Sequence, residues 1–118
     1  MTPDEIRQRL GAHRATPERY TNHVGLQYTA GVRDMADMCK ANWLLDAIGC
    51  FQKRRPVKNV KLQEWFVKRC TNGWAVYMLD EEGTTRAFLE LKHTDFPLPS
   101  IELVFERKVL RLKTEAST

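Results

Sequence analysis

A chain of 118 residues suits one domain and leaves no room for a second independent core, and its 42% hydrophobic content supplies that core without a metal or disulfide staple. The net charge of +4 permits contact with polyanions without requiring it. No run approaches the roughly 18 consecutive apolar residues of a membrane span, and the polar start lacks the apolar stretch of a signal peptide, so a cytoplasmic setting with no membrane contact is expected.

The chain opens on helix signals. Thr2 can cap, Pro3 suits the first helical position, and Glu5 completes a Thr-x-x-Glu capping box, with Gly11 as the stop. Ile6 and Leu10 form one narrow apolar stripe, which predicts a peripheral helix within residues 1–15. Thr16-Pro17-Glu18 offers a second start, predicting a helical turn through Tyr20 toward His23 before a loop at Gly25. From Thr29 the pattern sharpens. Val32, Met35, Ala36 and Cys39 share one helical face, with Arg33, Asp34, Asp37 and Lys40 on the other. Trp43, Leu44, Ala47 and Ile48 make the next face, with Asn42 as the cap, Gly49 as the stop and Asp46 directed away as a solubilising carboxylate.

Beyond Arg55-Pro56 the periodicity changes to two. Trp65 and Val67, then Trp74, Val76 and Met78, then Ala87, Leu89 and Leu91 mark three strands, with Asn72-Gly73 as a type I′ hairpin signal. Ile101, Leu103 and Phe105 mark a fourth, and residues 109–113 a short fifth after a turn near Arg107-Lys108. The expected architecture is α+β, with short N-terminal helices on one face of an antiparallel four- to five-stranded meander and a loose tail at 114–118.

Chemistry is sparse. Cys39, Cys50 and Cys70 are odd in number, lack C-x-x-C spacing and read as free thiols. Histidines, cysteines and glycines are scattered, so no metal, cofactor or phosphate-binding glycine loop is expected. His93 and Asp95, two apart, would share a strand face on which a carboxylate can orient an imidazole, but no activated thiolate or oxyanion hole accompanies them. Asp95 has a simpler use, bonding nearby backbone in a corner stiffened by Pro97 and Pro99, from which Phe96 can plug the core. The sharpest asymmetry is Lys53, Arg54, Arg55, Lys58 and Lys61, within nine residues that hold no acid. Such a cluster can neutralise phosphates, and Trp65, Trp74 and Tyr77 would offer stacking surfaces if they faced outward; as members of the apolar phase, the tryptophans would instead be core.

Four segments together, Tyr28-Thr29-Ala30-Gly31-Val32, Asn42-Trp43-Leu44-Leu45-Asp46-Ala47-Ile48, Trp65 and Thr94-Asp95-Phe96-Pro97-Leu98, resemble a family of small bacterial and phage-borne proteins of unknown function. Its members carry Y-T-D-G-V, Y-W-L-L-D-A-I and T-D-F-P-L. Ala30 stands where that family has an acid, and Asn42 where it has a tyrosine. The resemblance implies a fold and a mobile-element setting, but no reaction, and the residues themselves read Trp43, Asp46, Asp95, Phe96 and Pro97 as a structural motif. The expected role is a non-enzymatic interaction or accessory protein that binds a protein partner. The alternative is a nucleic-acid binder using residues 53–61, and a lesser one is a small enzyme around His93 and Asp95.

Overall fold

The computed structural model describes residues 2–14, 16–92, 94 and 96–115, which form three helices and a seven-stranded mixed sheet. Helix α1 (Pro3–Gly11) begins with the full capping box, Thr2 Oγ1 accepting from the Glu5 amide and Glu5 Oε1 from that of Thr2. It is docked more firmly than a peripheral helix. Ile6 and Leu10 are buried, and Asp34, in the second helix, accepts from Arg9 Nε at 2.8 Å and meets His13 Nε2 at 2.9 Å.

Burial opposes the charge on Asp34, but the hydrogen bonds from His13 and Arg9 outweigh it and hold the carboxyl below its usual 3.8. A carboxylate with a lowered folded pKa stabilises above its unfolded value and loses that contribution as pH falls through the folded one. Faster hydrogen exchange in the α1 amides is therefore expected below about pH 4, and Asp34→Asn should abolish this acid step.

Residues 16–19 form no helix. Tyr20–Thr21 is instead strand β1, paired with β2 (Gln27–Tyr28), because Tyr20 stacks on Tyr28 at 6.1 Å and the Arg33 guanidinium covers its ring. Helices α2 (Ala30–Cys39) and α3 (Asn42–Phe51) follow in tandem, broken where Lys40 adopts a left-handed conformation. Two details differ from expectation. Ala41, not Asn42, is the N-cap of α3, and it caps without a side-chain bond. Gly49 lies inside the helix, where a Cβ would come within 2.5 Å of Val24 Cγ2, so its role is close approach rather than termination.

The strands are β3 (Leu62–Cys70), β4 (Gly73–Leu79), β5 (Thr85–Leu91), β6 (Ser100–Glu106) and β7 (Val109–Leu112), in the spatial order β1-β2-β7-β6-β3-β4-β5. This corrects the meander: β6 returns beside β3, and β2 pairs with β7 in parallel. The β5–β6 connection rounds the β3–β4 hairpin end, where Arg69 N donates to Pro99 O. Phe96 and Leu98 of this connection are buried, and Phe96 meets the Trp74 ring edge-on at 5.5 Å. Asp95, like His93, lies outside the described residues.

The helices cover one sheet face. Trp65, Val67, Trp74, Val76, Met78, Leu103, Phe105, Leu110 and Leu112 are buried beneath them, so the tryptophans are core and not stacking surfaces. The other face carries an aromatic row. Phe66 pairs with Tyr77 across β3 and β4, their rings stacked at 5.0 Å, and Tyr77 pairs with Phe88 across β4 and β5. The tail is not loose throughout. Glu115 is 2% exposed and its Oε1 accepts from Thr29 Oγ1 at 2.7 Å and from the Leu112 amide at 2.9 Å; residues 116–118 lie outside the described residues.

Candidate anion-binding cleft

The basic segment is built as a run of tight turns leaving α3. Lys53 N donates to Cys50 O, Arg54 N to Phe51 O, and both Val57 N and Lys58 N to Arg54 O, through a cis Arg55–Pro56 peptide. Val57 is buried and turns inward, which leaves Lys53, Arg54, Arg55, Lys58 and Lys61 exposed.

An amide lock anchors the segment from below. Gln52 and Gln63 exchange reciprocal side-chain hydrogen bonds at 2.7 and 2.8 Å, Gln63 Nε2 also donates to Val60 O at 2.9 Å, and Trp65 Nε1 donates to Gln63 Oε1 at 2.9 Å. Gln63 has no solvent exposure, so these bonds satisfy groups that water cannot reach.

The register of β3 with β6 completes the site. Leu62 lies opposite Glu106, which sets the β6–β7 turn, Arg107-Lys108, beside Lys61. An open cleft of about 870 Å³ results. Lys53, Lys58, Lys61, Arg107 and Lys108 line it over apolar Leu26, Val60, Leu62 and Phe105, with the amides of Gln27, Gln52 and Asn59 also present. Arg54 and Arg55 are not among its lining residues. None of the five lining cations pairs with a carboxylate among the described residues, while the one acid of the lining, Glu106, faces Arg111 at 3.5 Å.

The turn itself is costly. Arg107 and Lys108 both have positive φ, 55° and 64°, the signature of a type I′ hairpin, which Asn-Gly would satisfy more cheaply. A left-handed backbone costs an L-residue with a Cβ roughly 1–2 kcal/mol. Two cations are thus kept where backbone preference alone would not place them. At Asn72-Gly73, where the sequence signals this turn, the loop residues are Thr71 and Asn72, and neither has positive φ.

The model of a family of unknown function, DUF6876, matches residues 4–116. The chain belongs to this family. Its fold is similar to that of a protein of unknown function from Enterococcus faecalis, at 16% identity and a TM-score of 0.52, over 90% of this chain and 98% of that one. No curated protein matches the chain. At that identity the structural likeness concerns the fold alone.

Several motif residues have structural duties here. Thr29 caps α2, accepting from Val32 N, and Gly31 leaves room for the Glu115 carboxylate. Trp43 packs half-buried against the core. Asp46 is not simply a solubilising charge, since its Oδ1 meets Asn22 Nδ2 at 3.4 Å and His23 Nδ1 at 3.5 Å, tying the β1–β2 loop to α3. Pro97 is half-buried beside Phe96. All three cysteines are free, and burial pushes the Cys39 thiol up to about 11, away from nucleophilic use. Among the described residues no His, Cys, Asp or Glu group could hold a metal ion, and no helix is long and apolar enough to cross a membrane.

Proposed function

We propose that the protein is a non-enzymatic binding module whose cleft takes the phosphate backbone of a nucleic acid. The supporting observation is the convergence of Lys53, Lys58 and Lys61 from one segment with Arg107 and Lys108 from another, without carboxylate partners among the described residues. An open cleft with cations along its walls suits an extended polyanion better than an enclosed small molecule. Its apolar floor accommodates sugar and base edges between phosphate contacts.

Binding of a fluorescein-labelled thymidine oligonucleotide, followed by anisotropy against salt, tests this. If all five cations meet phosphates of a single strand, log affinity should fall against log salt with a slope of about −3.5. Lys61→Ala and Arg107→Ala should each reduce the slope by about 0.7, and Arg54→Ala should leave it unchanged. A flat salt response, or tighter binding of an acidic peptide than of the oligonucleotide, would refute the assignment.

The reading as a binder of a protein partner draws on a different surface. It rests on the aromatic row of the open sheet face, which ends on Phe88, 57% exposed.

A further inference from the structure

We infer that a second copy of this chain docks edge to edge on β5, antiparallel about a two-fold axis through Phe88, extending the sheet and its aromatic row across the interface. The sheet order ends at β5, whose outer edge pairs with no strand among the described residues. Such an edge is a template for another strand unless it is short, bulged or covered. At seven residues β5 is not short, and its one irregularity lies at Arg86, which the register with β4 skips. Ala87 to Leu91 run in regular register.

The sequence of β5 is self-complementary about its centre. With Phe88 facing the partner's Phe88, Arg86 faces the partner's Glu90 and Glu90 faces the partner's Arg86. Ala87 lies opposite the partner's Leu89 on the helix side of the sheet. Moving the axis by one residue toward the C-terminus sets Arg86 against the partner's Lys92 and Phe88 against Glu90. Moving it the other way sets Arg86 against Phe88. Only the register through Phe88 matches both charges and rings, and opposite charges across antiparallel strands stabilise where like charges destabilise. Arg86 Nε already bonds Asp80 at 2.7 Å, which holds the side chain in place while its terminal nitrogens stay available. The row Phe66, Tyr77, Phe88 would continue into the partner's Phe88, Tyr77 and Phe66, replacing exposed apolar surface with ring contacts.

One strand pair buries less than the standard interface of roughly 1,200–2,000 Å², so the association is weak and concentration-dependent. It is independent of the cleft, which lies at the start of β3 and the end of β6.

Sedimentation of the full chain over a wide concentration range should show the mass rising from 13.8 kDa toward twice that value. Glu90→Arg sets like charges together at both symmetric positions and should weaken association by about ten-fold or more. Adding Arg86→Glu restores opposite signs and should recover it. Phe88→Ala, at an exposed site, should also weaken it, while Lys61→Glu in the cleft should not. A mass that stays at 13.8 kDa throughout, or association indifferent to both Glu90→Arg and Phe88→Ala, overturns the inference.

Discussion

Replacing Gln63 by methionine is expected to lower the melting midpoint by roughly 10 °C, because the change keeps side-chain length and removes every polar contact of a fully buried amide. The loss is larger than that of one hydrogen bond. Trp65 Nε1 is left buried without an acceptor, the Gln52 amide loses both partners, and Val60 O loses a donor. Each stranded group costs about 1–3 kcal/mol when water cannot reach it, and Gln52, half-buried at the cleft, recovers part of its share from solvent. A net penalty of about 3 kcal/mol follows, or roughly 4 °C per kcal/mol for a chain of this size. Differential scanning calorimetry reads it directly. A shift under about 2 °C would mean that the lock contributes little to stability.

The same substitution has a consequence for the cleft. Gln52 and Val60 bracket the basic segment, so releasing both lets Lys58 and Lys61 spread. Oligonucleotide affinity should then fall in the folded variant even though none of the five cations has been removed.

Much of the fold was legible because it follows from local periodicity. The capping box of α1, the apolar faces of α2 and α3, and the inward residues of β3 to β6 each follow from spacing alone. What escaped reading was non-local. Tyr20 lies in a strand because it finds Tyr28 and Arg33, contacts that the Thr16-Pro17 helix signal cannot anticipate. A simple meander would require neighbours in sequence to be neighbours in space throughout, whereas β6 lies against β3.

The candidate site divides along the same line. Lys53, Lys58 and Lys61 are visible as a charge run, while Arg107 and Lys108 gain meaning only once Leu62 is registered with Glu106. A signal was present nonetheless. Two bulky cations at the centre of a two-residue hairpin contradict turn preference, and local rules broken without an evident structural gain are expected at functional or strained sites. Arg54 and Arg55, equally conspicuous in the sequence, lie beside the cleft rather than in its lining because Val57 turns the segment between them and Lys58.

Glu115→Ala is the second substitution expected to cost heavily, at about 2–3 kcal/mol, since it strands the Thr29 hydroxyl and the Leu112 amide in a buried place. The carboxylate also sits at the start of α2, where the helix dipole favours negative charge. Glu115→Gln, which keeps an acceptor but not the charge, should therefore cost less than Glu115→Ala and still more than nothing. Gly31 supplies a sharper test. A Cβ at Gly31 would stand 2.6 Å from Glu115 Oε1, so Gly31→Ala in the native chain must drive the carboxylate from its site and should cost about as much as Glu115→Ala. In the Glu115→Ala background that obstacle is gone. Alanine then brings its helical advantage over glycine, about 0.5–1 kcal/mol, against a closer but yielding contact with Leu112 Cδ1 at 3.0 Å. The second substitution should be near neutral there, giving a coupling of about 2 kcal/mol in a double-mutant cycle by chemical denaturation. Simple addition of the two single costs would show that Gly31 and Glu115 act independently, and that the carboxylate is not what requires a glycine at this turn of α2.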